Sequence, residues 1–255
     1  MLLLLPPSES KTVPVGRRGR PLDLGRLSFD TGLGPTRSAV LAALVTASER
    51  PDALTVLGVP PTLGPEVARN GRLLTAPTAP AAAVYSGVLY EALDLPSLEP
   101  AARRRAYRWV VVCSALFGAL RLADRIPAYR LSMKVNLPPL GPLAAVWRGP
   151  LAPELHATAG RGLVVDARSS TYAAAWAPRG DLASRWVQVA VPGATHLAKH
   201  TRGLVARHLC RAGVDARTPA RLAAVVGERF ACDLTAPRRA GQPWVLSVGD
   251  PTVSA

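Results

Sequence analysis

Three lysines stand among the 31 basic residues of this chain, Lys11, Lys134 and Lys199; the other 28 are arginines. Arginine is a planar fork that stays charged, whereas lysine is a compact point donor whose pKa moves readily on burial. A lysine kept against so strong a bias marks a place where the fork does not serve. Each of the three lies in polar, punctuated sequence: Pro6-Pro7-Ser8-Glu9-Ser10-Lys11-Thr12, Tyr129-Arg130-Leu131-Ser132-Met133-Lys134 and His196-Leu197-Ala198-Lys199-His200-Thr201-Arg202-Gly203. The expectation is that they converge on one anion-binding or catalytic pocket. Within it, Lys11 and Lys199 are candidate nucleophiles or bases, activated if neighbouring cations depress their pKa.

Several apolar runs end in polar clusters. Leu2–Leu5 leads to Ser8, Glu9, Ser10 and Lys11. Trp109–Cys113 leads to Ser114 and then Arg121, and Leu163–Asp166 leads to Arg168, Ser169 and Ser170. In open α/β sheets, ligands bind beyond the carboxyl ends of the strands, where loops converge and helix N-termini point their amides outward. The familiar phosphate signatures are missing. Lys11-Thr12 lacks the Gly-x-x-x-x-Gly-Lys spacing, and neither a Gly-x-Gly-x-x-Gly nor a Gly-x-Ser-x-Gly motif is present. Cys113, Cys210 and Cys232 form no Cys-x-x-Cys pair, and their odd number argues against a disulfide framework, so a reducing cytoplasm is expected. His196 and His200 are spaced i, i+4 without the Glu of a His-Glu-x-x-His site, so no metal and no cofactor is expected.

The whole composition bears on partners. With 255 residues, 49% hydrophobic and 19% charged, the chain has ample length for a core. A formal net charge of +14 favours polyanions: nucleic acid, nucleotides or other phosphorylated ligands. No basic-aromatic ladder of the single-strand-binding kind appears. Met1–Leu5 is too short for a signal segment, and Trp109–Leu120 is too short to span a bilayer.

The elements that must position these residues follow from pattern and punctuation. Leu2–Leu5 reads as a central strand stopped by Pro6-Pro7, and Ser8 to Gly34 as a long functional loop. Helices are expected over Arg37–Arg50, Pro100–Arg108, Thr195–Arg211 and Thr218–Glu228, the last with Thr218 as N-cap and Pro219 at the first position. Strands are expected at Trp109–Cys113, Leu163–Asp166, Arg185–Val191 and Trp244–Val248. Pro80–Leu93 reads as strand-to-helix, Ser114–Leu120 as a short helix, and Pro138 to Pro153 as loop around a helical piece near Trp147. The expected fold is α/β, one mixed-sheet domain flanked by helices, with no internal repeat. Residues 37–70 include Leu57-Gly58-Val59 and Leu63-Gly64-Pro65, which suggest a helix-hairpin-helix-like element. There Gly58 and Gly64 would let backbone amides approach a DNA phosphate.

Taken together, these residues resemble the YaaA family, the UPF0246 group of peroxide-stress proteins. The resemblance rests on Leu-Pro-Pro-Ser-Glu-Ser-Lys-Thr at the N-terminus, Val84-Tyr85-Ser86-Gly87 and Ser114-Ala115-Leu116-Phe117-Gly118-Ala119-Leu120-Arg121. It continues through Asp124, Pro127–Lys134, Trp147, Ser169–Tyr172 and Lys199–Gly203. Its details look like the actinobacterial branch. The resemblance implies a cytosolic mixed α/β fold with a basic cleft, affinity for duplex DNA through a helix-hairpin-helix-like element, and a role in limiting iron-driven oxidative damage.

Two readings follow. In one, the chain is a cytosolic DNA-binding stress protein that meets phosphates through Gly58–Pro65, Arg17, Arg18 and Arg103, Arg104 and Arg105. In the other, it is an enzyme on a nucleotide, nucleobase or other anionic small molecule. That pocket would hold Ser8, Lys11, Arg121, Tyr129, Arg130, Lys134, Ser169, Tyr172, Lys199 and Arg202, with Tyr129 a third candidate for catalysis. A non-specific DNA binder needs surface charge but no buried Ser/Tyr/Lys cluster, and this separates the two.

Overall fold

The computed structural model describes residues 1–14, 20–193 and 195–251. Arg17 and Arg18, proposed phosphate contacts, lie outside the described residues. The chain opens with β1 (Leu2–Leu5), four leucines that are all buried, and proceeds to α1 (Asp30–Ser48). Short helices α2 (Ala53–Leu57) and α3 (Gly64–Arg69) follow, then β2 (Ala79–Pro80), α4 (Ala81–Val84), α5 (Val88–Leu93) and α6 (Pro100–Trp109). β3 (Val110–Ser114) is buried at every position, as a continuous apolar run in a sheet covered on both faces must be. After it come β4 (Gly118–Leu120), β5 (Arg125–Ile126), β6 (Asn136–Leu137), β7 (Gly141–Pro142) and α7 (Leu143–Ala159). The chain then supplies β8 (Val164–Asp166), α8 (Ser170–Ala173), β9 (Trp186–Ala190), α9 (Thr195–Ala212), α10 (Pro219–Gly227), β10 (Phe230–Thr235) and β11 (Trp244–Pro251).

Seven strands form one mixed sheet in the order β10-β11-β9-β8-β1-β3-β4. The five inner strands are parallel, and each edge is closed by an antiparallel neighbour, β10 against β11 and β4 against β3. β3 lies on one side of β1, while β8 lies on the other. The chain therefore leaves β1 and β8 in opposite directions, which opens a crevice at their carboxyl ends.

Four local expectations are corrected. Ser114–Leu120 is a hairpin turn into β4 rather than a helix. Ser114 Oγ accepts the Leu116 and Phe117 N–H groups at 3.2 and 3.1 Å, and Gly118 at φ 71° sends the chain back. Pro138 to Pro153 is not mainly loop: α7 runs for 17 residues through Pro150 and Pro153. Its buried Leu143, Trp147, Leu151, Leu155 and Ala159 recur every fourth residue, and this ridge outweighs the lost hydrogen bonds. α1 begins at Asp30, inside the segment expected to be loop, with Pro35 near its start. β10 is an additional strand, because an edge strand with one buried face carries little apolar signal.

The segment expected to resemble a helix-hairpin-helix contains two short helices, α2 of five residues and α3 of six. Gly58 ends α2 at φ 62°, where its N–H reaches back to Leu54 O and Thr55 O. Gly64 is an ordinary right-handed helical residue at φ −51°, so its backbone freedom is unused. Among the described residues no helix is long and apolar enough to cross a membrane.

Candidate functional site

Three connections meet at the carboxyl edge between β1 and β8. From β1 the chain runs through Pro6-Pro7 into Ser8–Lys11, a stretch fastened to the segment before α5. Lys11 forms an isolated bridge with Tyr85, and Thr12 N donates to Val84 O at 2.9 Å. Gly87, at φ 91°, lies so close that an added Cβ would be 3.2 Å from Ser8 Oγ. From β8 the chain passes Arg168 and Ser169 into α8. From β9 it enters α9, whose Gly203 allows close packing on α5; a Cβ there would collide with the Leu89 carbonyl oxygen and lie 2.8 Å from Ala92 Cβ. Between these walls is a cavity of about 410 Å³ lined by Ser8, Glu9, Ser169, Tyr172, Lys199 and Arg202, among others.

Lys11 sits just behind the Ser8–Ser10 wall and is half-buried. Its Nζ donates to Ser8 O at 2.6 Å and to Glu9 O at 3.4 Å, and lies 4.2 Å from the centre of the Tyr129 ring. Burial, and secondarily the Arg130 charge, push its pKa down to about 7. Such an amine is partly neutral at physiological pH, the state in which lysine acts as base or nucleophile.

Beneath it the phenols form a short network. Tyr129 Oη is 2.7 Å from Ser114 Oγ and 3.0 Å from Tyr85 Oη. Ser114 Oγ already accepts two N–H groups, so its proton is directed to Tyr129, which in turn donates to Tyr85. Burial raises the pKa of both phenols, which stay neutral and polar rather than anionic. Tyr90 donates to Pro6 O at 2.8 Å and fixes the turn that follows β1.

A different arrangement closes the end of β8. Asp166 and Arg168 are fully buried and paired in two places, Nε to Oδ1 at 2.8 Å and Nη2 to Oδ2 at 2.7 Å. Trp186 Nε1 also donates to Asp166, and Arg168 donates to Tyr172 O and Trp176 O. The Asp166 carboxylate thereby keeps the guanidinium charged; burial alone would push its pKa down, yet the net direction is up. This pair is structural: it ties α8 to the sheet.

The sequence-derived candidates divide into three groups. Ser8, Ser169, Tyr172, Lys199 and Arg202 share the cavity. Lys11, Tyr129 and Arg130 are grouped behind it, where Arg130 contacts the Glu9 carboxylate at 3.2 Å and Glu66 at 3.6 Å. The others lie outside, which corrects the expectation of one pocket for all. Lys134 is exposed on a turn, because the neighbours Met133 and Val135 take the buried positions. Arg121 donates to Arg108 O at 2.7 Å and lies over the Phe29 ring. Arg103 and Arg104 are exposed on α6, while Arg105 caps the last turn of α9 at Cys210 O, 2.7 Å away. Gly58 and Gly64 have open space where a Cβ would project.

The sequence pattern places Ser10 and Ser170 in the polar clusters after strand ends, but it does not single out Tyr90 or His196 as lining residues. Nor does it single out Arg37, which is fully buried and donates to Ser28, Phe117 and Ala119 carbonyls. The one signal for Tyr90 is its closeness to the Tyr85-Ser86-Gly87 motif. Among the described residues no group of three His, Cys, Asp or Glu side chains is placed to hold a metal.

The sheet order and the switch-point cavity define a class: an α/β protein with a ligand-sized pocket at the carboxyl edge of its parallel strands. More particularly, the chain belongs to the family described as peroxide stress protein YaaA, whose family model matches residues 1–235. A UPF0246 protein of Streptomyces coelicolor is 47% identical over 257 residues, covering 97% of this chain and 98% of the relative. UPF0246 proteins of Corynebacterium efficiens and Corynebacterium glutamicum are 39% and 40% identical, over 88% and 82% of this chain and 90% and 84% of theirs. Membership brings with it a general role in oxidative stress.

Proposed function

We propose that this YaaA-family chain serves the oxidative-stress response by acting on a small anionic molecule held at the carboxyl edge between β1 and β8. The observation that carries this reading is the cavity's position at the switch point, where hydroxyl, cationic and aromatic side chains from three separate connections converge. Lys11, which adjoins the cavity from behind the Ser8–Ser10 wall, is the candidate base or nucleophile. Its amine is partly neutral near pH 7, and the neutral Tyr129 phenol lies directly beneath it. Lys199 and Arg202 hold the anion. The test is Lys11→Arg, which keeps the charge and removes the compact titratable amine. Expected is loss of peroxide protection in a complemented deletion strain, with the circular dichroism spectrum and melting temperature of the purified protein little changed. A fully protective, folded Lys11→Arg variant would remove the enzyme reading.

The formal charge of +14 favours a second reading, non-specific binding of duplex DNA. Exposed Arg103 and Arg104 and the α2–α3 segment would meet the phosphates. Affinity is then expected to fall steeply between about 50 and 200 mM salt, and to survive Lys11→Arg. Absence of binding at low salt, or affinity indifferent to salt, would rule it out.

A further inference from the structure

The lining of the cavity between β1 and β8 is of two unlike kinds, and the contrast says what would fill it. α9 contributes His196, Lys199 and Arg202, spaced by three residues. At about 100° per residue these side chains fall within a third of the helix circumference. None of the three is in an ion pair among the described residues, and Arg202 spends only its Nε, on Val189 O at 3.3 Å. The lining also carries the hydroxyls of Ser8, Ser10, Ser169 and Ser170, none of which has a hydrogen-bond partner among the described residues. The one carboxylate at the cavity, Glu9, is engaged by Arg130. The result is a dense set of unspent donors around a net positive space.

A carboxylate offers two oxygens and one charge, fewer than this set can use. A phosphomonoester offers three terminal oxygens and nearly two charges. Cations and hydroxyls converging from separate elements suit it, since charge-assisted hydrogen bonds are the strong ones. The rest of the lining is apolar and partly flat, formed by Pro6, Pro7, Val88, Leu89, Tyr90 and Tyr172. A volume of about 410 Å³ lies in the lower part of the range for small-molecule sites, roughly 300–1,000 Å³. We infer that this cavity binds a phosphomonoester carrying a planar ring, the chemistry of a nucleoside monophosphate, with the phosphate on the Lys199 and Arg202 cations and the ring against the apolar part of the lining. The inference rests on the reading that the cavity takes a small anion, and names its class.

The experiment is calorimetric titration of the full chain with AMP, GMP, adenosine, ribose 5-phosphate and citrate. AMP or GMP is expected to bind, with adenosine and ribose 5-phosphate each weaker by about tenfold or more, the equivalent of one good contact. Lys199→Ala is expected to weaken the mononucleotide by a similar factor and to leave adenosine unchanged. Lys134→Ala, which removes the same charge from a turn off the cavity, should alter neither. Adenosine binding as tightly as AMP would overturn the phosphate, and ribose 5-phosphate binding as tightly would overturn the ring. Mononucleotide binding indifferent to Lys199→Ala would overturn the site. If citrate alone binds, and does so through Lys199, the phosphomonoester is wrong while the small-anion reading stands. If none of the five binds, both fall.

Discussion

Arg168 and Lys11 both stand just beyond the carboxyl ends of neighbouring parallel strands, β8 and β1, and they are in opposite electrostatic states. Arg168 meets the Asp166 carboxylate in two places and keeps its charge in full burial. The Lys11 amine meets two backbone carbonyls, the face of Tyr129 and the like charge of Arg130. One edge thus separates its cations by counter-charge. Where a carboxylate is supplied, the cation is structural. Where the nearby carboxylates, Glu9 and Glu66, are engaged by Arg130 and pull only weakly on the amine, burial prevails and the amine drifts toward neutrality.

The largest expected effect comes from making the two alike by removing the counter-charge. Asp166→Asn leaves Arg168 buried without its anion and should cost about 3–5 kcal/mol of stability, read as a lower urea midpoint. A loss below about 1 kcal/mol would mean that the backbone carbonyls alone support the guanidinium, and the contrast with Lys11 would vanish.

The next effect is on pH dependence. Lys11 falls from its usual 10.5 to about 7 on folding, so between these values the unfolded chain binds more protons. Stability should therefore rise with pH through that window, and the penalty should be present in full below about pH 7. Lys11→Met should remove this slope, gaining on the wild type as pH falls from 10.5 to 7. Discounted for partial exposure, the gain is on the order of 2–4 kcal/mol, at 1.36 kcal/mol per unit. Parallel stability curves for the two proteins would contradict the depressed amine.

The smallest effect sharpens the causes. Arg130→Gln removes the like charge but leaves the burial, which is the larger cause. In a chain with three lysines, isotope-labelled lysine NMR resolves each one. The Lys11 midpoint should rise above 7 by about one unit or less, roughly 1 kcal/mol, and stay well short of 10.5. A return to 10.5 would make Arg130 rather than burial the controlling influence.

Much of the fold is legible in the residue pattern, for identifiable reasons. Leu2–Leu5, Val110–Ser114 and Val164–Asp166 are short apolar runs bounded by breakers, and they form the buried heart of the sheet. Thr218-Pro219 opens α10 as its capping chemistry requires, with Thr218 accepting the Arg221 N–H. α7 is less legible, because its prolines argue locally for loop and only contact with the core reveals the buried ridge. β4 is hidden for a different reason: Ser114 and Gly118 set its turn locally, by side-chain-to-backbone hydrogen bonds and a positive φ, inside a run whose apolar residues read as helix.

At the site, residue types and their positions after strand ends point to Ser8, Lys11, Ser169, Lys199 and Arg202, because polar residues following buried strands must emerge where the loops meet. Which of them share a cavity is beyond that reasoning. Lys134 and Arg121 lie in motifs no less suggestive, yet one is turned outward and the other spent on Arg108 O. The sequence by itself determined the central strands β1, β3 and β8, their polar ends and the scarcity of lysine, since these depend on local pattern and composition. Only the tertiary structure decided that β1 and β8 are neighbours, that α9 faces their carboxyl ends, and that Asp166 pairs with Arg168 while no carboxylate contacts the Lys11 amine among the described residues. Those outcomes depend on strand order and on which charges are buried side by side, quantities that exist only once distant segments are packed together.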